Sequence, residues 1–164
     1  MAIITQLDAC TPGALKAPGL PKAQRVAGYL DGPCQWPGSG WSEFPGVPKV
    51  RITDRANDLA DVFDYERGTA SLRMVRGAVV VRARVYLPSA VYVAESNWET
   101  ALGDLQGLPV VWWVAAWGAS TWPVLRGVGG HIIKAAAWQE ISMPDWDLSH
   151  VDDVAWPVLG EPAP

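Results

Sequence analysis

Two histidines and two cysteines are all that this 164-residue chain holds of those residue types. So few imidazole and thiol groups leave no zinc-ligand pattern, and no structural metal site is expected. Cys10 and Cys34 are too few for a disulfide framework; they are either free thiols or one bond. Charged residues make up 18% of the chain, the net charge is −4 and no long basic run occurs. That excludes a duplex-binding protein, whose phosphate contacts need clustered Lys and Arg. No uncharged run reaches the length of a membrane span. The opening MAIITQLDACTPGALKAPG lacks a basic start followed by a continuous apolar core, so no signal peptide is expected. A phosphate-cradling loop is missing as well, because GVGG at 127–130 precedes a strand instead of following one and opening a helix. Ser149 has no nucleophile-elbow context, which removes a serine-hydrolase reading.

What is abundant is tryptophan, ten residues against four Tyr and two Phe, together with sixteen Gly and fourteen Pro. Stacking surfaces and short elements joined by many turns are the corresponding expectations. Residues 1–24, with Pro12, Gly13, Pro18, Gly19 and Pro21, read as an extended N-terminal arm. The first strand is RVAGYLDG, followed by the turn-rich loop GPCQWPGSGWSEFPGVP and a second strand, KVRIT. ADVFDYERG (60–68) is the third. Residues 69–86 carry both valines and a helical stripe of Leu72, Val75, Val79 and Ala83; a helix is expected, because AVYVAES (90–96) needs a crossover to lie parallel to strand three. WETALGDLQG reads as a short helix, PVVWWVAAWG (109–118) as a doubly buried strand, HIIKAAAWQE (131–140) as the next strand, and DLSHVDDVAWP as the end of the domain. The order predicts one parallel α/β domain over 25–157 with several helices shortened to loops, and a Pro-rich tail over 158–164.

Strand three carries the chemistry. Asp64 and Glu66 are two apart, point the same way, and have Cα atoms roughly 6.5–7 Å apart. Both lie at the C-terminal end of their strand, as Asp31 does on strand one, and parallel α/β folds collect reactive groups at that rim. Glycoside hydrolysis needs such a group: one carboxylic acid protonates the leaving oxygen while a second carboxylate acts as nucleophile, base or stabiliser. Crowded like charges raise at least one pKa and keep an acid protonated near neutrality. Glu66, with the longer reach, is read as the general acid and Asp64 as its charged partner. The competing reading is that such acids cap loops or pair with an arginine such as Arg67. Asp61 is read as solvated or capping.

AGYLDG, ADVFDYERG, AVYVAES, WWVAAWG, AAAWQE and DLSHVD stand in the order seen in the glycoside hydrolase family 25 lysozymes. The chain resembles these and the glycoside-hydrolase-like domains of actinobacterial surface proteins and phages over about residues 25–157. The resemblance implies a small irregular (β/α) barrel of TIM type that cleaves the β-1,4 bond after N-acetylmuramic acid in peptidoglycan. It implies Glu66 as general acid, Asp64 as nucleophile or stabiliser, and Asp31 and Asp147 as supporting carboxylates. The chain departs from the family in its length, in the missing helices after strands one and two, and in PGSGWSEFPG, which has no counterpart.

Trp36 and Trp41, in the loop beyond Asp31, either stack on sugar faces, or plug the barrel mouth or fold the loop onto the body. Trp117 and Trp138, at strand ends, are further candidates for sugar binding. Trp112 and Trp113 alternate faces and read as packing, as do Trp98, Trp122, Trp146 and Trp156. His131 falls at the far end of its strand, and His150 reads as a surface histidine. Two functions follow as expectations. One is a lysozyme-like hydrolase acting on bacterial cell-wall glycan, without metal or organic cofactor. It would be made in the host cytoplasm and act as part of a bacteriophage virion or at the cell wall. The other is a catalytically inactive barrel, a structural or glycan-binding component such as a minor tail protein. In it the N-terminal arm docks onto virion neighbours. Neither involves nucleic acid or a membrane.

Overall fold

The computed structural model describes residues 2–57, 59–66, 72–130 and 132–156. Eight strands close into a barrel: β1 (Ile3–Asp8), β2 (Arg25–Tyr29), β3 (Lys49–Thr53), β4 (Val62–Tyr65), β5 (Ser89–Ala94), β6 (Val110–Ala115), β9 (Ala137–Ser142) and β10 (Asp147–Asp152). Between β6 and β9 a small antiparallel ladder joins β7 (Leu125–Arg126) to β8 (Ile132–Ile133). Round the barrel the order is β1, β10, β9, β6, β5, β4, β3, β2, with β2 pairing back to β1. All neighbours are parallel except β10, which runs antiparallel to both β1 and β9. The protein is thus an α/β fold around a mixed barrel, with few and short helices.

Three expectations change. Residues 3–8 are not an extended arm: Ile3–Asp8 is a full barrel strand, and it closes the cylinder between β2 and β10. HIIKAAAWQE is not one strand, because Ile132–Ile133 belongs to the side ladder and the barrel strand starts only at Ala137. The plan is not wholly parallel, since β10 returns by a tight connection after β9. The helix expected over 69–86 is found as α2 (Leu72–Arg84), and WETALGD forms α3 (Trp98–Asp104). His131, Arg67 and the tail 158–164 lie outside the described residues.

Alternation along the strands divides the core. Inward residues Ala27, Val50, Ile52, Val62, Ala90, Trp113, Ala137 and Val151 fill the barrel. The many alanines leave room for Trp113, which meets Tyr92 and Trp156 edge-on at 5.1 and 5.9 Å between centroids. Trp156 closes the bottom, where Arg25 sits over its ring and bonds Asp153 at 2.7 Å. Outward residues Phe63, Tyr65, Val91, Val93, Trp112 and Val114 pack under α2 and α3.

On the remaining flank, over β1, β2 and β10, no long helix among the described residues covers the sheet. The loop after β2, with its single five-residue helix α1 (Gly38–Ser42), folds down in its place. Trp41 and Phe44 both pack their rings against Trp36, which itself packs with Leu7, Leu15 and Val26. Gly28 makes this possible, for a Cβ there would drive into the Trp36 indole. A disulfide, Cys10–Cys34, ties this loop to the segment leaving β1.

Candidate active site

Five parallel strands and the antiparallel β10 bring polar side chains to one end of the barrel. Because β10 is reversed, its first residue, Asp147, lies at the same rim as Asp8, the last residue of β1. The cleft at that rim holds about 290 Å³ and is lined by Asp8, Tyr29, Glu66, Tyr92, Trp117, Gln139, Ser142 and Asp147 over a floor of Ile52 and Trp113. No Lys, Arg or His is among these lining residues. Among the described residues, like charges meet at this rim with no cationic side chain in its lining.

Asp8 and Asp147 stand opposite each other across the β1–β10 ladder, and each has a buried carboxyl oxygen without a hydrogen-bond partner among the described residues. Two carboxylates brought together in a buried rim favour a state in which one carries a proton. Asp8 is held well above the usual carboxylate range by burial first, then by the charge and hydrogen bond of Asp147, then by the charge of Asp64. Asp147 is also raised by burial, but hydrogen bonds from Ser142, Asp8, Gln139 and the Met143 backbone N–H oppose that rise. Asp8 is the more deeply buried of the two and Asp147 only half-buried, which favours Asp147 as the anion and Asp8 as the proton carrier.

Glu66 follows β4 and is half-buried in the cleft wall. Its carboxyl is raised by burial and by the Asp147 charge, against a hydrogen bond with Tyr92. Asp64 is set back from that wall, 2% exposed, with the Tyr29 hydroxyl donating to its Oδ2 at 3.2 Å. Burial, reinforced by the Glu66 charge, pushes Asp64 up to about 8. At neutral pH it is protonated, not the charged partner that its spacing from Glu66 suggested. Tyr65, between the two acids, faces outward and bonds Asp104 at 3.0 Å. Asp61 is neither solvated nor capping a loop: it forms a two-pronged pair with Arg51, at 2.9 Å for each prong, and accepts the Arg51 backbone N–H at 2.8 Å. The three acids of ADVFDYERG thus have separate fates: Asp61 is paired, Asp64 is buried behind the cleft wall and Glu66 lines the cleft.

Other expected residues fall elsewhere. Asp31 is absent from the cleft lining; it accepts Thr53 Oγ1 at 2.7 Å and the Asp54 backbone N–H at 3.1 Å, tying the loop after β2 to the end of β3. The rim position given to Asp31 belongs to Asp8, because the barrel begins one strand earlier. Trp36 is buried with its Nε1 donating to Ala9 O at 2.9 Å, and half-buried Trp41 stacks on it at 4.7 Å. Both fold the loop onto the body and offer no face to a ligand in the cleft. Trp138 points out of the barrel, donating to Ala116 O at 3.1 Å and packing against Trp122 and His150. His150 bonds Glu140 at 2.8 Å on the same outer face. Of the four tryptophans proposed for binding only Trp117 lines the cleft, and it is 56% exposed.

Sequence reasoning missed Asp8, Tyr29, Tyr92 and Ser142. A signal for the tyrosines existed, since Tyr29 stands two residues before Asp31 and Tyr92 lies in register with Asp64 across β4 and β5. Chemically, the rim offers a half-buried acid, an anion steadied by hydrogen bonds, a neutral buried acid behind them and one exposed indole. That set can give a proton to a bound oxygen and stabilise positive charge beside it. No family model, curated protein or solved structure matches the chain.

Proposed function

We propose that the protein is a glycoside hydrolase acting on bacterial cell-wall peptidoglycan, built on a reduced TIM-type barrel akin to the family 25 lysozymes. The observation that carries this reading is the convergence of Glu66, Asp147 and Asp8 at one open rim, with Asp64 behind it. Glu66 gives its proton to the glycosidic oxygen as the bond from that oxygen to the anomeric carbon breaks. Asp147 stabilises the positive charge left on the sugar ring. Water then adds to the anomeric carbon and returns a proton to Glu66. Trp117 stacks on a sugar face, as an exposed amphipathic ring suits a part-apolar ligand. The roles differ from the expectation in one respect: the neutral Asp64 supports the site and Asp147 carries its charge.

Action outside the host cytoplasm, in a virion or at the wall, is supported by the Cys10–Cys34 bond, which persists in oxidising surroundings. The alternative is a catalytically silent structural or glycan-binding part of a phage particle. Exposed apolar side chains at the end of α2 favour it: Val85, Leu87 and Tyr86, the last 96% exposed. With β1 built into the barrel, contact with virion neighbours would fall to such a surface.

The test is an assay for new reducing ends after incubating wild type and Glu66→Gln with actinobacterial and other peptidoglycans. Release by wild type alone supports the hydrolase with Glu66 as its acid. A folded wild type that releases none from any wall leaves the binding or structural role in its place.

A further inference from the structure

Asp8 ends β1 and Asp147 begins β10, opposite each other in the antiparallel ladder and both in the lining of the cleft. Asp8 is 6% exposed and Asp147 is half-buried. Asp8 Oδ2 and Asp147 Oδ1 are each buried without a hydrogen-bond partner among the described residues. A buried acceptor left unpaired costs free energy, and a charged one costs more than a neutral one. Two other buried acids of the barrel, Asp61 and Asp152, are met by Arg51 and Lys134. Asp8 and Asp147 face the open cleft instead, where a ligand can reach them. We propose that the Asp8–Asp147 pair is a subsite for a primary ammonium group carried by the ligand.

The chemistry of the two oxygens selects that group. Both are acceptors, so whatever binds them must donate. A sugar hydroxyl or an acetamide N–H offers one neutral donor; an ammonium offers three donors and a positive charge. Hydrogen bonds between ionised partners are about twice as strong as neutral ones, and a partly closed cleft screens them less than open water does. Two carboxylates brought together relieve their repulsion by keeping a proton. An ammonium bound to both supplies that positive charge itself and lets both ionise. A divalent metal is the other cation to weigh, and it needs roughly six to eight oxygen ligands. Among the described residues no group of three or more His, Cys, Asp or Glu side chains could hold one. Trp117, exposed at the edge of the same cleft, adds a ring face that attracts a cation as readily as it stacks on a sugar.

The source of the amine rests on the peptidoglycan reading. There the same group has two origins: a 2-amino sugar that lacks its N-acetyl group, and the side-chain amine of a diamino acid in the wall peptide.

The test is calorimetric titration of the full chain with two pairs of soluble probes. One pair is a β-1,4 glucosamine tetramer and the N-acetylglucosamine tetramer; the other is a lysine-containing wall peptide and the same peptide with its lysine acetylated. At least one amine probe should bind about 10–100-fold tighter than its acetylated control. The glucosamine tetramer does so if the amine belongs to the glycan, the lysine peptide if it belongs to the stem. That preference should shrink with added salt and vanish in Asp8→Asn/Asp147→Asn. Binding by none of the probes, equal binding within each pair, or a preference that the double variant retains overturns the subsite. Should the double variant not fold, carboxyl carbon NMR of the wild type replaces it. The preferred amine probe must then move the Asp8 and Asp147 signals while its acetylated control does not, and signals that stay in place overturn the proposal. The two readings fail separately. A protein that releases reducing ends without any amine preference keeps the hydrolase and loses the subsite. One that cleaves no wall but binds an amine probe with that preference keeps the subsite and loses the hydrolase.

Discussion

Asp8 ends β1 directly opposite Asp147, the first residue of β10, and each keeps a buried carboxyl oxygen that no described residue hydrogen-bonds. The antiparallel pairing of one strand in an otherwise parallel barrel sets this meeting. In a parallel neighbour the residue at that rim would be the strand's last, Asp152, which instead sits at the barrel's other end and is bound by Lys134 at 2.6 Å.

The pair separates two roles by mutation. Asp147→Asn removes the anion beside the sugar and should lower kcat by about 10²–10³-fold. Asp8→Asn leaves an amide that can donate to Asp147, so its loss should be smaller by at least tenfold. Initial rates of reducing-end release measure both. A larger loss for Asp8→Asn would give Asp8 the anionic role assigned to Asp147.

Stability should fall as pH rises through the neutral range. Asp64 keeps its proton in the fold up to about 8, whereas an unfolded aspartate loses it near pH 4. Between those values the folded state holds more protons than the unfolded one, so its advantage shrinks by up to about 1.4 kcal/mol per pH unit for each such acid. Above the folded value the loss levels off. Asp8, Glu66 and Asp147 are raised too and add slope of the same sign. Asp152, lowered by its bond to Lys134, works in the opposite sense only in strong acid. Thermal melts from pH 4.5 to 8.5 should therefore show a declining Tm, with a shallower decline in Asp64→Asn. An unchanged slope in that variant would mean that Asp64 is ionised in the fold.

The disulfide should contribute measurably to stability. Cys10 lies two residues beyond Asp8, and Cys34 lies in the loop that carries Trp36, at a separation of 24 residues. Cross-linking a loop of that size removes unfolded-chain entropy worth roughly 3–4 kcal/mol, or about 10 °C in Tm for a chain of this length. Melting curves with and without reductant, and of Cys10→Ser/Cys34→Ser, should show this loss. Two reactive thiols in the native protein before reduction would show that no bond forms.

How much of this was legible in the sequence depends on which way each strand faces. α2 was legible because Val75 and Val79 repeat at helical spacing and both are fully buried. Strand β4 was legible through Val62 and Phe63. β1 was not, for two physical reasons. The Pro and Gly residues at 12–21 outweighed a short apolar start. In addition, Gln6 and Asp8 point into the barrel and Leu7 points out under the Trp36 loop, which reverses the rule of apolar inside and polar outside. Losing β1 shifted the count by one strand and put Asp31 where Asp8 stands. Trp138 and Gln139 show the same limit on a smaller scale. Neighbours on a strand face opposite ways, and nothing local says that the polar one of this pair faces in.

Two tryptophans offered for the same task should respond in opposite ways. Trp36 is 3% exposed, wedged against Gly28 and hydrogen-bonded to Ala9. Trp36→Ala removes the indole that covers the flank without a long helix, at a cost of about 3–5 kcal/mol. Trp117 has its ring at the cleft edge with more than half its surface in solvent. Trp117→Ala should stay within about 0.5 kcal/mol of wild type in stability, yet weaken binding of a peptidoglycan fragment by about 0.5–1.5 kcal/mol, the size of one aromatic contact. Denaturant unfolding and calorimetric titration with a soluble muropeptide oligomer measure the two effects side by side. A Trp117→Ala variant that binds the fragment as well as wild type would remove the indole from the glycan site. A Trp36→Ala variant that keeps its stability would mean that the loop after β2 is not what seals the barrel.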